Sequence, residues 1–255
     1  PEVDELIVCP SASDESNAIG TAYYGYEQVC KRIGREFQPI TVKNLYLGPA
    51  YTNDDVRQAI ERLGCAGTYS IKYCENIELE VARLLAAHKI VARLKGRMEF
   101  GARALGNRSI LANPSRLQNV RIINEQIKER DFWMPFACTI LDSREKDYII
   151  NPKRISSEFM QYSFDTREEK RDDIQAAIHQ YDFTTRPQIL TPEGNQTYYA
   201  LIKEFERLTG IGAVLNTSFN LHGEPIVNTP EDAISVFARS GLQHVAIENY
   251  LISKK

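Results

Sequence analysis

Residues 96–109 read Gly96-Arg97-Met98-Glu99-Phe100-Gly101-Ala102-Arg103-Ala104-Leu105-Gly106-Asn107-Arg108-Ser109. Three arginines and three glycines fall within these fourteen residues. Glycine lets a backbone approach a ligand closely, and arginine offers a planar fork of donors that matches phosphate oxygens. The stretch therefore predicts a phosphate-binding loop. It lacks the Gly-Lys-Ser/Thr of a Walker loop and the glycine spacing of a dinucleotide-binding fingerprint.

One arginine of this loop is predicted to bind the anion. Arg103 lies between two of the glycines, where backbone amides can also approach a phosphate. For Arg97 and Arg108 two alternatives stay open. Either they add to the same anion pocket, or Arg97 forms a local ion pair with Glu99 while Arg108 is solvated.

On both sides of the loop, apolar strands alternate with amphipathic helices, which predicts an α/β fold. Strands are predicted over 6–9, 90–94, 109–112, 134–141, 213–215 and 244–252. Helices are predicted over 15–33, 53–64 with Asn53 as N-cap, 77–88, 116–129, 196–209 and 230–241. Residues 142–185 show a weak, charged pattern, which indicates a solvated face or a mobile insertion.

A second motif, Leu215-Asn216-Thr217-Ser218-Phe219-Asn220, is followed by Gly223-Glu224-Pro225. We expect Asn216-Thr217-Ser218 to form a turn after a buried strand. A hydroxyl and an amide at the carboxyl end of a strand are well placed to bind the ribose or phosphate of a nucleotide. The alternative is a turn whose polar side chains cap backbone groups. Arg186, in a strand-like Thr-Arg-Pro-Gln, has the same two interpretations.

Lys128 and Arg130 end the helix predicted over 116–129 and precede Met134. Cations in a last helical turn commonly interact with the helix dipole alone. Beside an anion pocket they are candidates for holding a second phosphate. Trp133 has two interpretations, a core or rim aromatic and a platform on which a base stacks.

The composition restricts the class of protein. A chain of 255 residues with 43% hydrophobic and 25% charged residues is an ordinary globular chain of one large domain or two modest ones. A net charge of −3 argues against a nucleic-acid or membrane-surface binder. Five cysteines without a Cys-x-x-Cys pair indicate reduced thiols in the cytoplasm. No apolar run approaches the ~20 residues that span a bilayer, no signal segment is recognisable, and the four scattered histidines complete no metal site.

Four stretches together resemble the O-carbamoyltransferases of the nodulation and antibiotic-tailoring type. They are residues 96–112, 136–141, 215–220 and 223–227. Members of this family join an actin-like, metal-containing domain to a C-terminal domain of YrdC-like α/β fold. The resemblance implies that residues 45–255 form the YrdC-like domain, a twisted mixed sheet with flanking helices. Residues 1–44 would be the remnant of the actin-like domain, and the chain would be one piece of a polypeptide whose N-terminal half is missing.

The resemblance also implies a reaction. The C-terminal domain would form carbamoyl adenylate from ATP and carbamoyl phosphate, with Mg²⁺ accompanying the ATP. The actin-like domain, with Fe²⁺ or another divalent metal, would pass the carbamoyl group to a hydroxyl of a small acceptor. Neither a nucleic acid nor a membrane is expected as a partner.

The family's site residues map onto matching positions of this sequence. The residues implied for catalysis are Arg103, Lys128 and Arg130. The residues implied for carbamoyl phosphate are Gly101, Arg103 and Lys128. The residues implied for ATP and the adenylate are Arg186, Asn216 and Ser218. Asp14, in Pro10–Gly20, corresponds to a metal ligand whose histidine partners are absent.

Two positions depart from the family pattern. Ala102 replaces the usual proline, and Met134 replaces an arginine found in many members, which removes one phosphate donor. A related alternative is a threonylcarbamoyl-adenylate synthase of tRNA modification, because the YrdC-like fold serves both reactions. An alternative of another class is a non-catalytic nucleotide-binding module, which Met134 favours.

Overall fold

The computed structural model describes residues 8–128 and 134–255. Its helices are α1 (Ser16–Arg32), α2 (Asn53–Arg62), α3 (Ile77–Ala86), α4 (Gln118–Ile123), α5 (Glu145–Tyr148), α6 (Arg171–Ile174), α7 (Gln196–Thr209) and α8 (Pro230–Arg239). Its strands are β1 (Tyr69–Tyr73), β2 (Val91–Leu94), β3 (Arg108–Ala112), β4 (Ala137–Leu141), β5 (Ile149–Ile150), β6 (Phe164–Thr166), β7 (Thr184–Thr185), β8 (Gln188–Leu190), β9 (Ala213–Ser218), β10 (His244–Ile247) and β11 (Tyr250–Lys254).

The main sheet has eight strands in the order β1-β11-β10-β2-β3-β9-β4-β8. It is mixed, because β2 runs parallel to β10 and β4 runs parallel to β8, while the other neighbours are antiparallel. In the middle of the sheet, Ser109 of β3 pairs with Ser218 of β9. This register joins the two sequence motifs, since the arginine-glycine loop enters β3 where β9 ends. The predicted mixed α/β sheet with flanking helices is confirmed.

Local sequence signals explain several helix boundaries. Thr229 caps α8 by accepting from the Asp232 amide, and Pro230 occupies the first turn, where no amide partner is lost. Gly210 ends α7 in the left-handed conformation, as its position predicted. The N-cap of α2 is Thr52, which forms a capping box with Asp55. The expected Asn53 cap is therefore wrong by one residue.

The apolar core lies between the sheet and its helices. α3 packs on α7, and α8 packs on α2 and β10. Strands β2 and β3 are buried along their whole length, as the central position of a sheet covered by helices demands. The tip of the arginine-glycine loop is anchored separately by a small apolar cluster of Leu45, Leu105 and Met160.

The expectation for residues 142–185 is corrected by the structure. The segment contains a second sheet, β5-β6-β7, and contributes Tyr148, Phe164 and Ile174 to the main core. Its elements are two to four residues long, so no periodicity was visible in the sequence. The charged stretch 167–173 is partly or fully exposed, as expected.

Three other boundaries differ from the prediction. Residues 216–218 continue β9 and do not form a turn, because they pair with β3. The last strand is a hairpin of β10 and β11, reversed at Glu248 with a positive φ of 47°. The helix predicted over 116–129 is α4 followed by a π-helical turn, Asn124–Lys128. Strand β1 was not predicted, whereas the strand-like Thr185-Arg186-Pro187-Gln188 overlaps the start of β8. The strand predicted over 6–9 begins outside the described residues.

Candidate functional site

A buried carboxylate shapes the arginine-glycine loop. Glu99 is 7% exposed, and its Oε1 accepts from the backbone amides of Leu105 at 2.8 Å, Asn107 at 2.7 Å and Arg108 at 3.2 Å. One oxygen therefore gathers three amides and bends residues 99–108 around itself. The alternative in which Glu99 pairs with Arg97 is wrong, because Arg97 donates to the Leu47 carbonyl at 2.8 Å.

Two glycines of the loop are required by close approach. Gly106 has a φ of +109°, and a Cβ there would lie 2.1 Å from Cδ1 of Tyr198. Gly101 has a φ of +102°, and its Cβ would lie 2.4 Å from Oγ of Ser11. Neither backbone conformation suits a side chain. Gly101 thus packs against the N-terminal segment, and its predicted contact with carbamoyl phosphate stays a prediction.

The arginines of the loop have different surroundings. Arg108 is fully buried and donates to the carbonyls of Gly96 at 3.2 Å, Asn107 at 3.0 Å and Asn228 at 3.3 Å. Arg108 is therefore neither solvated nor part of the anion pocket, because its guanidinium binds backbone carbonyls inside the fold. Arg103, at the tip of the loop, is exposed.

A cleft with an empty volume of about 440 Å³, open mouth included, lies beside Arg103. It is lined by residues 102–104, 135–137, Met160, Arg186 and residues 216–218. Four predicted site residues, Arg103, Arg186, Asn216 and Ser218, therefore share one cleft. No carboxylate belongs to this lining among the described residues.

The cleft is electropositive at its mouth. The pKa of the Arg186 guanidinium is lowered by burial and by the positive charge of Arg103 nearby. Nε of Arg186 is buried and has no hydrogen-bond partner among the residues that the structure describes. Neither arginine forms an ion pair within 8–128 and 134–255. Two like charges without a counter-charge are stabilised by a bound anion.

Asn216 forms the inner wall of the cleft. It is 2% exposed, and its Nδ2 donates to the Ala104 carbonyl at 3.0 Å and to Oγ1 of Thr139 at 3.1 Å. Thr139 in turn accepts from the Tyr198 hydroxyl at 2.9 Å and donates to Oε1 of Gln188 at 3.0 Å. This buried network fixes the Asn216 amide against the backbone of the arginine-glycine loop.

Lys128 lies behind the cleft and supports it. The residue is 1% exposed. Its ammonium donates to the Ser218 carbonyl at 2.5 Å, to Oγ of Ser218 at 3.1 Å, to the Asn220 carbonyl at 3.0 Å and to Oδ1 of Asn220. The π-helical turn ends at Lys128, and such turns often occur at functional sites. The structure therefore brings Lys128 to Ser218, outside the lining of the cleft. Direct binding of a substrate by Lys128 stays a prediction.

A second cleft, of about 460 Å³ with its mouth included, adjoins the first. It shares Ala102, Arg103, Met160 and Arg186 with the first cleft. Its far wall is formed by Val8, residues 10–13 and Glu15. The two arginines therefore stand between the two clefts, and a group bound at Arg103 faces both.

The remaining predicted residues lie apart from these clefts or outside the description. Asp14 is exposed, and no cluster of three or more His, Cys, Asp or Glu side chains able to hold a metal occurs within 8–128 and 134–255. Its role as a metal ligand stays a prediction. Arg130 and Trp133 lie outside the described residues. Met134 is 37% exposed and does not line the first cleft.

Sequence reasoning missed Glu99 and Thr139 as organisers of the site. Glu99 is part of the motif, but a carboxylate two residues from an arginine favours the prediction of an ion pair over that of an acceptor for three backbone amides. Thr139 lies in the stretch 136–141 without any polar neighbour in sequence, and its partners are 49 to 77 residues away.

The described helices include none that is long and apolar enough to cross a membrane. Comparison with solved structures finds the crystal structure of full-length HypF in its phosphate- and nucleotide-bound form. It aligns with a TM-score of 0.46 and 18% identity over 72% of this chain and 22% of that chain. This similarity is too low to carry a conclusion about the site.

Comparison by sequence finds relatives of higher identity than this solved structure. An uncharacterized protein of Methanocaldococcus jannaschii is 40% identical over 98% of this chain and 46% of its own length. Nodulation protein NolNO of Sinorhizobium fredii is 33% identical over 98% of this chain and 36% of its own length. Nodulation protein U of Rhizobium tropici is 32% identical over 99% of this chain and 40% of its own length. The chain thus spans less than half the length of these relatives.

One family covers most of the chain. Residues 82–254 match the family described as Carbamoyltransferase C-terminus. The match contains both motifs and every residue named above as lining the first cleft. The chain therefore belongs to the carbamoyltransferase C-terminal family.

Proposed function

We propose that this chain is the part of an ATP-dependent O-carbamoyltransferase that forms carbamoyl adenylate from carbamoyl phosphate and ATP. The carbamoyl group would then pass to a hydroxyl of a small acceptor. Membership of the carbamoyltransferase family supports the transferred group. The observation that carries the reaction is the pair Arg103 and Arg186, which share a cleft without a carboxylate partner among the described residues.

The balance of the reaction explains why fixed cations are needed. Carbamoyl phosphate, ATP and water give carbamoyl adenylate, pyrophosphate and phosphate. Water cleaves the carbamoyl–phosphate link and releases phosphate. A carbamate oxygen attacks the α-phosphorus of ATP, and the bond from that phosphorus to pyrophosphate breaks. Both substrates are polyanions, so their repulsion must be screened before they meet, and such transfers depend mainly on positioning and charge stabilisation.

Each described residue has a defined part in this proposal. Arg103, exposed at the tip of its loop, binds the phosphate of carbamoyl phosphate, and Arg186 holds the phosphates of the nucleotide. The Ser218 hydroxyl accepts from Lys128 at 3.1 Å and donates to Oδ1 of Asn220 at 2.7 Å. On ligand binding it would turn this proton to a phosphate or ribose oxygen. Glu99 keeps the loop in the conformation that presents Arg103.

Magnesium would enter with the nucleotide. The described lining of the first cleft offers no carboxylate, so the ion's ligands there would be phosphate oxygens and water. It would neutralise charge on the leaving pyrophosphate. The acceptor hydroxyl attacks the carbamoyl carbon, AMP leaves, and the hydroxyl proton passes to solvent or to a base. The second cleft, which shares both arginines, offers a route by which the acceptor approaches.

The test is pyrophosphate release from ATP and Mg²⁺, with and without carbamoyl phosphate. Release that depends on carbamoyl phosphate is expected. Arg103→Ala should lower it by about 100-fold or more, since loss of one charge-stabilising donor costs ~2.7–4 kcal/mol in the transition state. Arg97→Ala is the matched control, because Arg97 lies in the same loop and bonds the Leu47 carbonyl.

Three results would contradict the proposal. They are release that is independent of carbamoyl phosphate, no release at all, and an Arg103→Ala variant that works as well as Arg97→Ala. Release driven by threonine and bicarbonate in place of carbamoyl phosphate would favour the threonylcarbamoyl-adenylate synthase. ATP binding without turnover would favour a nucleotide-binding module.

A further inference from the structure

One buried acceptor in the first cleft has no donor. Oδ1 of Asn216 is shielded from solvent and has no hydrogen-bond partner among the residues that the structure describes. The side chain is 2% exposed and belongs to the lining of the cleft. An unsatisfied buried amide oxygen is destabilising, so its persistence at a ligand site indicates that a ligand supplies the donor.

The orientation of the Asn216 amide follows from its neighbours. Nδ2 faces the carbonyl oxygen of Ala104, which can only accept a hydrogen bond. The same Nδ2 faces Oγ1 of Thr139, whose own proton goes to Gln188. Turning the amide over would place its oxygen against that carbonyl oxygen. Oδ1 is therefore fixed as the acceptor without a donor, on a side chain that lines the first cleft.

The position of this acceptor relative to the anion site restricts the donor. Ala104, which bonds the Asn216 amide, directly follows Arg103 in the loop. A ligand whose anion binds Arg103 must therefore carry its donor close to the anion. In carbamoyl phosphate, the amide nitrogen is three bonds from phosphorus. In ATP, the donors nearest to the phosphates are the ribose hydroxyls, which lie farther from the α-phosphorus than the carbamoyl nitrogen lies from its own phosphorus, and the adenine amino group lies farther still.

We propose that Oδ1 of Asn216 accepts a hydrogen bond from the N–H of the carbamoyl group, so that this site selects carbamoyl phosphate over acyl phosphates that lack the N–H. This inference rests on the proposed function and assigns Asn216 to the carbamoyl group, whereas the family resemblance implied a contact with ATP. A site built around such a hydrogen bond rejects an analogue without the donor, because the buried acceptor is then left unpaired.

A matched pair of stable ligands tests the proposal. Phosphonoacetamide keeps the amide of carbamoyl phosphate, and acetonylphosphonate replaces its NH₂ with a methyl group of similar size. Titration calorimetry on the chain is expected to show that the amide binds about 10- to 100-fold more tightly than the ketone. AMP is titrated in parallel.

Two variants distinguish an effect on the preference for the amide ligand from an effect on the stability of the fold. Asn216→Leu removes the acceptor, and the preference for the amide should fall to within about twofold. Asn119→Leu makes the same change at a buried asparagine that donates to the Asn113 carbonyl and lines neither cleft, so it should lower the melting temperature while the preference stays. Titration of the two phosphonates into the wild-type chain tests the proposal even where Asn216→Leu fails to fold.

The outcomes distinguish the two proposals. If the wild-type chain binds neither phosphonate, the proposed function fails together with this inference. If it binds both equally, the inference alone is overturned. A folded Asn216→Leu variant that keeps the amide preference overturns it as well. A variant that loses affinity for AMP and keeps the amide preference would assign Asn216 to the nucleotide instead.

Discussion

Replacing Glu99 with glutamine tests whether one carboxylate organises the phosphate-binding loop. Glu99→Gln keeps the size of the side chain and removes its charge. In the wild type, Oε1 accepts three backbone amides at 2.7–3.2 Å while 7% exposed. The charge of Glu99 also offsets the buried guanidinium groups of Arg93 and Arg108, whose pKa values are lowered mainly by burial.

The magnitude follows from the three bonds. A hydrogen bond to a charged acceptor contributes ~1.5–3 kcal/mol and one to a neutral acceptor ~0.5–1.5 kcal/mol. Three bonds that each weaken by ~1 kcal/mol lower the free energy of unfolding by ~3 kcal/mol. For a chain of this length, that corresponds to a fall in melting temperature of roughly 6–12 °C.

The measurement is urea unfolding followed by circular dichroism, with Glu61→Gln as the control. Glu61 forms an ion pair with Arg57 at 2.8 Å on the exposed surface of α2, where solvent and salt screen such a pair and it contributes little to stability. Phosphate binding should also weaken in Glu99→Gln, because the loop that presents Arg103 loosens. If Glu99→Gln is no less stable than Glu61→Gln, the carboxylate does not hold the loop and the reasoning is refuted.

Further substitutions test the fold. Gly106→Ala should lower the free energy of unfolding by ~3 kcal/mol in a urea titration, because its Cβ would lie 2.1 Å from Tyr198. Gly210→Ala should lower it by only ~1 kcal/mol, because its Cβ would meet open space and only the left-handed φ of 78° opposes it. Equal losses in the two variants would contradict the packing of Gly106 on Tyr198. The pKa of His244 is lowered by burial and by the charge of Lys89, so the unfolded chain binds the proton more readily. Stability should fall as the pH drops below about 6.5, and His244→Gln should reduce that slope; an unchanged slope between pH 7.5 and pH 5.5 would exclude the effect.

The sequence predicted the fold where its signals are local. The cap at Thr229 and the left-handed Gly210 gave the ends of α8 and α7, since both depend on neighbouring residues. The elements of residues 142–185 were not predicted, because they are short and are stabilised by residues distant in sequence. Tyr148, for example, accepts from the Gly212 amide across 64 residues.

The sequence motifs predicted which residues form the candidate site, and the contacts in the structure show how they are arranged. Arg103, Arg186, Asn216 and Ser218 were named from motifs, and the structure brings all four to one cleft. The motifs do not reveal that Lys128 contacts the site through Ser218, because a buried ammonium and a ligand-binding ammonium have the same sequence signature. Pairing of β3 with β9, which joins the two motifs, is likewise invisible in either motif alone.

The arginines of this chain show why partners, and not residue types, assign function. Arg93 and Arg108 are almost fully buried, and each donates to backbone carbonyls, so their charges are committed to the fold. Arg103 and Arg186 have no ion-pair partner in the described part of the chain and line a common cleft. A guanidinium already bonded on all sides has no donors left for a phosphate, whereas two neighbouring guanidiniums without counter-charges repel until an anion binds between them. We therefore place the proposed anion site at Arg103 and Arg186. The proposed selection for the group that the anion carries lies with Asn216, which is bonded to the loop beside Arg103.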